Sequence, residues 1–147
     1  MLYNINRFYV PISKVDMKVI KMAGFQRIYH AETFPGDFKA MFKKSSGQRK
    51  RYEEWLYTWL TVLDREGAKA LDMQQFEFLR GTSNPCLYAI RHPHSEINER
   101  YIYVYIDGEA VVLLTAFKEK TATDYRAAIS RAERVYRDLE ESDDGTG

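Results

Sequence analysis

Two histidines, His92 and His94, flank Pro93 in a short polar stretch. Imidazole titrates near neutrality, so such a pair is a natural acid and base. Four cations stand beside them or on neighbouring segments: Arg91, Arg100, Lys118 and Lys120. Arginine presents a planar fork matched to phosphate oxygens, and lysine a point charge. Acid, base and cations are together what cutting an RNA phosphodiester without a metal requires. The 2′-hydroxyl attacks the adjacent phosphorus while a base takes its proton. An acid protonates the leaving 5′ oxygen, and cations hold the charge that gathers on the phosphate. Upstream, Lys39 to Arg51 holds six basic residues and no acid. Within it Lys43, Lys44, Arg49, Lys50 and Arg51 are candidates to bind a polyanion such as RNA, since a basic run draws one.

Each of these features has a plainer reading. A histidine pair beside a proline is more often a surface loop than a catalytic centre. Arg91 and Arg100 have Glu96 and Glu99 nearby as ion-pair partners, and Lys118 and Lys120 sit where a solvated helix start is expected. A basic run is more often a solvated face than a nucleic-acid surface. Two histidines at i and i+2 with no further Cys/His cluster make a poor metal site, so neither metal nor cofactor is expected. His30 stands alone and reads as structural.

The elements that must position these residues can be read from periodicity. Cys86 to Arg91 reads as a strand, and His92 to Asn98 as a loop, because Pro93 biases His92 away from helix. Tyr101 to Ile106 alternates aromatic and β-branched residues, Asp107-Gly108 signals a tight hairpin turn, and Glu109 to Phe117 returns. Val111 to Leu114 is apolar throughout, as in a strand covered on both faces. Phe25 to Phe34 reads as a further strand. A short helix follows Asp37, and a long one runs from about Gln48 to Glu66. In the long helix Trp55, Leu56, Trp59, Leu60, Val62 and Leu63 recur at helical spacing and read as core. Further helical turns are expected over Ala68 to Leu79, and a last helix from Thr123 or Asp124 to about Leu139. Tyr101, Tyr103 and Tyr105 share one strand face and read as a ladder packed on the helices. The class is therefore α+β, a small antiparallel sheet of about four strands packed against two N-terminal helices, with a C-terminal helix.

The chain of 147 residues suits one domain, 25–141, preceded by an extension, 1–24, and followed by a disordered tail, 142–147. The extension reads as a strand near Tyr3 to Val10 and a helix near Val15 to Met22. A start at Met17 or Met22 is an alternative. The single cysteine, Cys86, allows no internal disulfide and fits a reducing cytoplasm. No apolar run approaches the roughly 18 residues of a membrane span, and the polar N-terminus does not read as a signal peptide.

Three segments, in order, resemble the RelE/ParE superfamily of bacterial toxins, and within it the HigB-like, phage-associated branch. Leu87 to Arg91 (LYAIR) is similar to the branch's LYELR strand, and Tyr103 to Phe117 (YVYIDGEAVVLLTAF) to its YFFDGGKIVLLHGF hairpin. Lys118 to Thr121 (KEKT), followed by a helix carrying Ala128 and Ala132, is similar to its KKT and closing helix. The resemblance implies the toxin of a type II toxin-antitoxin system. That protein would be a metal-independent endoribonuclease that cuts mRNA at the ribosome, is held by a cognate antitoxin and works in the cytoplasm. ParE-like members poison gyrase instead, so the alternative is a non-catalytic binding protein of the same fold, either gyrase-inhibitor-like or a decayed toxin acting with an antitoxin in operon regulation. Relatives often carry an arginine on the second hairpin strand. Aligned from Asp107, that place is Tyr101 here, with Arg100 one residue earlier. Thr115 stands where relatives often have histidine, and Glu119 replaces the first lysine of KKT.

Overall fold

The computed structural model describes residues 7–12, 15–79 and 85–144. Its order is β1 (Arg7–Ile12), β2 (Val15–Lys21), β3 (Ile28–His30), α1 (Phe34–Ala40), α2 (Arg49–Glu66), β4 (Phe76–Phe78), β5 (Tyr88–Arg91), β6 (Glu99–Ile106), β7 (Ala110–Lys118) and α3 (Ala122–Asp144). The seven strands form one sheet in the order β1-β2-β3-β7-β6-β5-β4. Every pairing is antiparallel except β3 with β7, which is parallel. The class is α+β, with a mixed sheet.

The central strands are apolar on both faces because each face has its own core. Tyr101, Tyr103, Val111 and Leu113 pack with Phe34 and Phe38 of α1 and Tyr52, Leu56, Leu60 and Leu63 of α2. Ile102, Val104, Val112 and Leu114 pack on the other face with Ala128, Ala132 and Leu139 of α3. Strand alternation sends successive residues to opposite cores. The β6–β7 register slips between Ile102 and Tyr103, so that Thr115 faces Ile102 while Leu113 faces Tyr103. Leu114 is the extra residue of this bulge, and the slip resets the faces of everything after it. The hairpin turns as read: Asp107 and Gly108 both take positive φ, and the Glu109 N–H donates to the Ile106 carbonyl at 3.3 Å.

α2 is set by Tyr52, Leu56, Leu60 and Leu63, a buried stripe at helical spacing. It stops at Gly67, whose φ of +59° favours glycine. Its end is tied to the start of β3. The Asp64 carboxylate accepts the backbone N–H of Gln26 at 3.0 Å and of Arg27 at 2.8 Å. α3 begins with a reciprocal cap, in which Asp124 accepts the Thr121 N–H and the Thr121 hydroxyl accepts the Asp124 N–H.

Several expectations need correction. The sheet has seven strands rather than about four, and Phe25 to Phe34 contributes only the three residues of β3, in parallel. Val15 to Lys21 is a strand, not a helix. Its apolar residues satisfy both a three-four spacing and an alternation, and pairing with β1 and β3 decides between them. Ala68 to Leu79 is a 3₁₀ turn, Gly67–Asp72, followed by β4, where Phe76-Glu77-Phe78 alternates. α1 starts at Phe34, before the proline and glycine expected to precede it, since proline is well placed in a first helical turn. α3 runs to Asp144, past the expected end near Leu139. Residues 80–84 and 145–147 lie outside the described residues, as does the strand expected from Tyr3 as far as residue 6.

Candidate active site

The loop between β5 and β6 is shaped by two non-glycine residues in the left-handed region, His94 (φ 63°) and Asn98 (φ 47°). Asn98 fastens it to the end of β7. Its side-chain amide donates to the Glu119 carbonyl at 2.8 Å, and its own carbonyl accepts the Glu119 N–H at 3.0 Å. So held, the loop closes against the first turns of α2. Arg51, Tyr52, Trp55, His92, His94, Ser95 and Glu96 line a cleft of about 300 Å³ between them.

His92 is fixed within this cleft on two sides. Its ring lies flat on the Trp55 indole, with centroids 3.7 Å apart and planes 11° from parallel, and edge-on to Tyr52 at 5.7 Å. Its Nδ1 is 2.7 Å from Oε2 of Glu99, and no described residue partners Nε2. Glu99, the first residue of β6, is fully buried. Its face is that of Tyr101, toward α2. A buried carboxylate is tolerable when hydrogen bonds replace its water. Glu99 also accepts from the Ser95 hydroxyl at 2.6 Å and the Tyr101 hydroxyl at 2.9 Å. Burial, followed by the Glu99 charge, pushes the Tyr101 hydroxyl well above its ordinary range, so it stays a donor.

The cations expected beside the histidines lie at the same end of the sheet but are divided by it. Arg100 faces α3. Its guanidinium is 3.1 Å from Glu77 and 3.1 Å from Glu119, over the Tyr125 ring at 5.9 Å. Neither Glu96 nor Glu99 is its partner. Arg91, opposite Arg100 in the register, is exposed. Lys118 lines a separate hollow with Asp37 and Arg131, where the Thr115 hydroxyl donates to Asp37 at 2.7 Å and accepts from Arg131 at 2.9 Å. Lys120 is exposed ahead of α3.

The basic segment does reach the cleft, through Arg51, whose guanidinium also lies over the Tyr52 ring at 5.2 Å. Lys43, Lys44 and Lys50 are exposed on the approach to α2, and Arg49 is half-buried. Glu99, Ser95, Tyr52 and Trp55 were not expected at a site. Trp55 and Trp59 are only partly buried rather than core. Glu99 carried a readable signal: it shares the face of Tyr101 and Tyr103 by alternation, so its carboxylate had to be buried beside the histidine loop. Among the described residues no group of three or more His, Cys, Asp or Glu side chains is placed to hold a metal ion. No described helix is long and apolar enough to cross a membrane.

Residues 41–137 match the protein family described as "Phage derived protein Gp49-like (DUF891)". The matched span takes in the basic segment from Lys43, the cleft, the β6–β7 hairpin and most of α3. Neither the curated proteins nor the solved structures gave a match. The chain therefore belongs to the Gp49-like family of phage-derived proteins, and through it to the RelE/ParE-like superfamily of type II toxin-antitoxin toxins.

Proposed function

We propose that this chain is a HigB-like toxin that cuts mRNA at the ribosome, with the His92 cleft as its active site. The observation that carries the reading is a histidine clamped between an indole and a buried carboxylate at the mouth of a basic segment. In this reading Nε2 of His92 takes the proton of the 2′-hydroxyl, which bonds to the adjacent phosphorus. The bond from phosphorus to the 5′ oxygen breaks, and His94, at the same mouth, protonates that oxygen. Arg51 supplies the fork for the phosphate, and Lys43, Lys44, Arg49 and Lys50 draw in the backbone. The products are a 2′,3′-cyclic phosphate and a 5′-hydroxyl. Family membership implies an antitoxin as partner, and a cytoplasmic site of action follows from the proposed target.

The second reading, a non-catalytic binding protein of the same fold, is favoured by Arg100. The arginine nearest the relatives' arginine in sequence is held between two carboxylates. Expression in a bacterium lacking the antitoxin separates the two readings. The active chain arrests growth and cleaves ribosome-bound mRNA, and His92→Ala lowers the cleavage rate by about 10²–10⁴. Arrest without cleavage, or cleavage untouched by His92→Ala, would replace the enzyme reading with the binding one.

A further inference from the structure

Among the described residues Glu99 is a fully buried carboxylate with the His92 ring nitrogen against it. It stands at the start of a central strand, a place where a carboxylate is costly and an apolar residue would serve the core better. Ser95, Tyr101 and His92 all direct side-chain groups to it. Two of these donors hold the carboxylate in place, and the third is the imidazole in the cleft. We propose that Glu99 is the positioning residue of the site. By accepting the Nδ1–H of His92 it selects one tautomer and one ring orientation, and presents a bare Nε2 to the cleft as proton acceptor.

The chemistry behind this is general. A neutral imidazole carries its proton on one nitrogen or the other, and the partner of one nitrogen decides the state of the other. Glutamate can only accept when ionised, so the nitrogen 2.7 Å from it is the protonated one. The Trp55 face removes the remaining freedom, since a ring stacked at 3.7 Å cannot flip without leaving the indole. Nε2 then accepts a proton without first losing one, and the imidazolium formed in the step already has the Glu99 carboxylate at its Nδ1–H. The inference rests on the proposed cleavage reading only for the identity of the group that gives up its proton. The tautomer and its cause stand apart from that reading.

The test has two readouts on purified full-length protein. Nitrogen-15 NMR of the histidine side chains reports the tautomer directly. His92 of the wild type is expected as Nδ1–H, and Glu99→Gln is expected to shift it to Nε2–H or to a mixture, since the glutamine amide can donate to Nδ1. Cleavage of mRNA on programmed ribosomes is expected to show kcat for Glu99→Gln reduced by roughly 10²–10⁴, as when a tautomer-fixing carboxylate is lost, with KM within about twofold, because uniform binding is unchanged. Ser95→Ala removes one support of Glu99 from the loop and should give a smaller fall in kcat with the wild-type tautomer retained. It provides the kinetic answer if Glu99→Gln fails to fold. An Nε2–H tautomer in the wild type overturns the proposal, as does a Glu99→Gln enzyme with wild-type kcat. If the wild type shows the Nδ1–H tautomer and Glu99→Gln changes it, yet wild type cuts no ribosome-bound mRNA, the cleavage reading falls and the positioning role of Glu99 stands.

Discussion

A cation contributes to phosphate chemistry only where its charge is not already spent. Arg51 and Arg100 are the sharpest contrast in the molecule. Arg51 is exposed at the cleft, whereas Arg100 is shared between Glu77 and Glu119 on the far face. Arg51→Gln is expected to lower ribosome-dependent cleavage by about 10²–10³, as loss of one charge-stabilising donor does. Arg100→Ala should leave the rate within a few-fold and instead cost stability, about 1–3 kcal/mol, by stranding two carboxylates. Parallel rate measurements and urea titrations of the two variants check this, and the reverse pattern would return Arg100 to the site. The two histidines stand out by residue type alone, and both line one cleft. The pairing of cations with them was not legible, because nearness in sequence ignores which side of a strand a residue takes. Tyr101 and Arg100 differ by one position and lie on opposite faces of the sheet, a full change of environment.

The β6–β7 hairpin stands between the two cores and, through Glu99 at its start, supports the candidate cleft. Its turn and strand pair could be read because Asp107-Gly108 has a local conformational meaning and the apolar run has a length suited to a covered strand. The bulge at Leu114 could not be read, since a slip of register is decided by what packs above and below. Val112→Asp or Leu114→Asp places an unpaired charge against Ala128 and Ala132, at a cost of several kcal/mol, comparable with the total stability of such a domain. Loss of the cooperative urea transition in either variant is the expected result. A folded, soluble Leu114→Asp protein would contradict the two-core arrangement. Strands β2 and β4 were the elements misread as helix. The apolar spacing of each admits both periods, so tertiary pairing settles them.

For the molecule as a whole, acidity and salt are the revealing variables. Burial holds the His30 imidazole below its ordinary value of 6.5, with the hydrogen bond to the Ala31 carbonyl opposing. The unfolded chain therefore takes up a proton at His30 near pH 6.5 that the folded chain refuses until lower pH. Below that point the unfolded state is favoured, so stability is complete above pH 6.5 and falls as pH drops toward the folded value. Denaturation midpoints at pH 7.5 and 5 should differ more for the wild type than for His30→Gln, in which the remaining histidines are common to both. Salt tests the basic segment. Replacing Lys43, Lys44, Arg49, Lys50 and Arg51 with Gln should flatten the salt dependence of ribosome binding by about 0.7–0.9 in log–log slope for each phosphate no longer neutralised. An unchanged slope would mark them as a solvated face. The parallel pairing of β3 with β7 has a consequence in time. Ile28 pairs with Val111, so the middle of the sheet joins segments far apart in the chain, and such long-range closure is slow. The β6–β7 hairpin is local and forms in about 1–10 μs, which makes it the surface that β3 docks upon. During synthesis β3 emerges long before its partner and waits with an open edge. The cleft assembles only after Glu99 has followed His92 out of the exit tunnel, so on the proposed reading the nascent chain does no harm to the ribosome making it until both walls of the cleft have emerged.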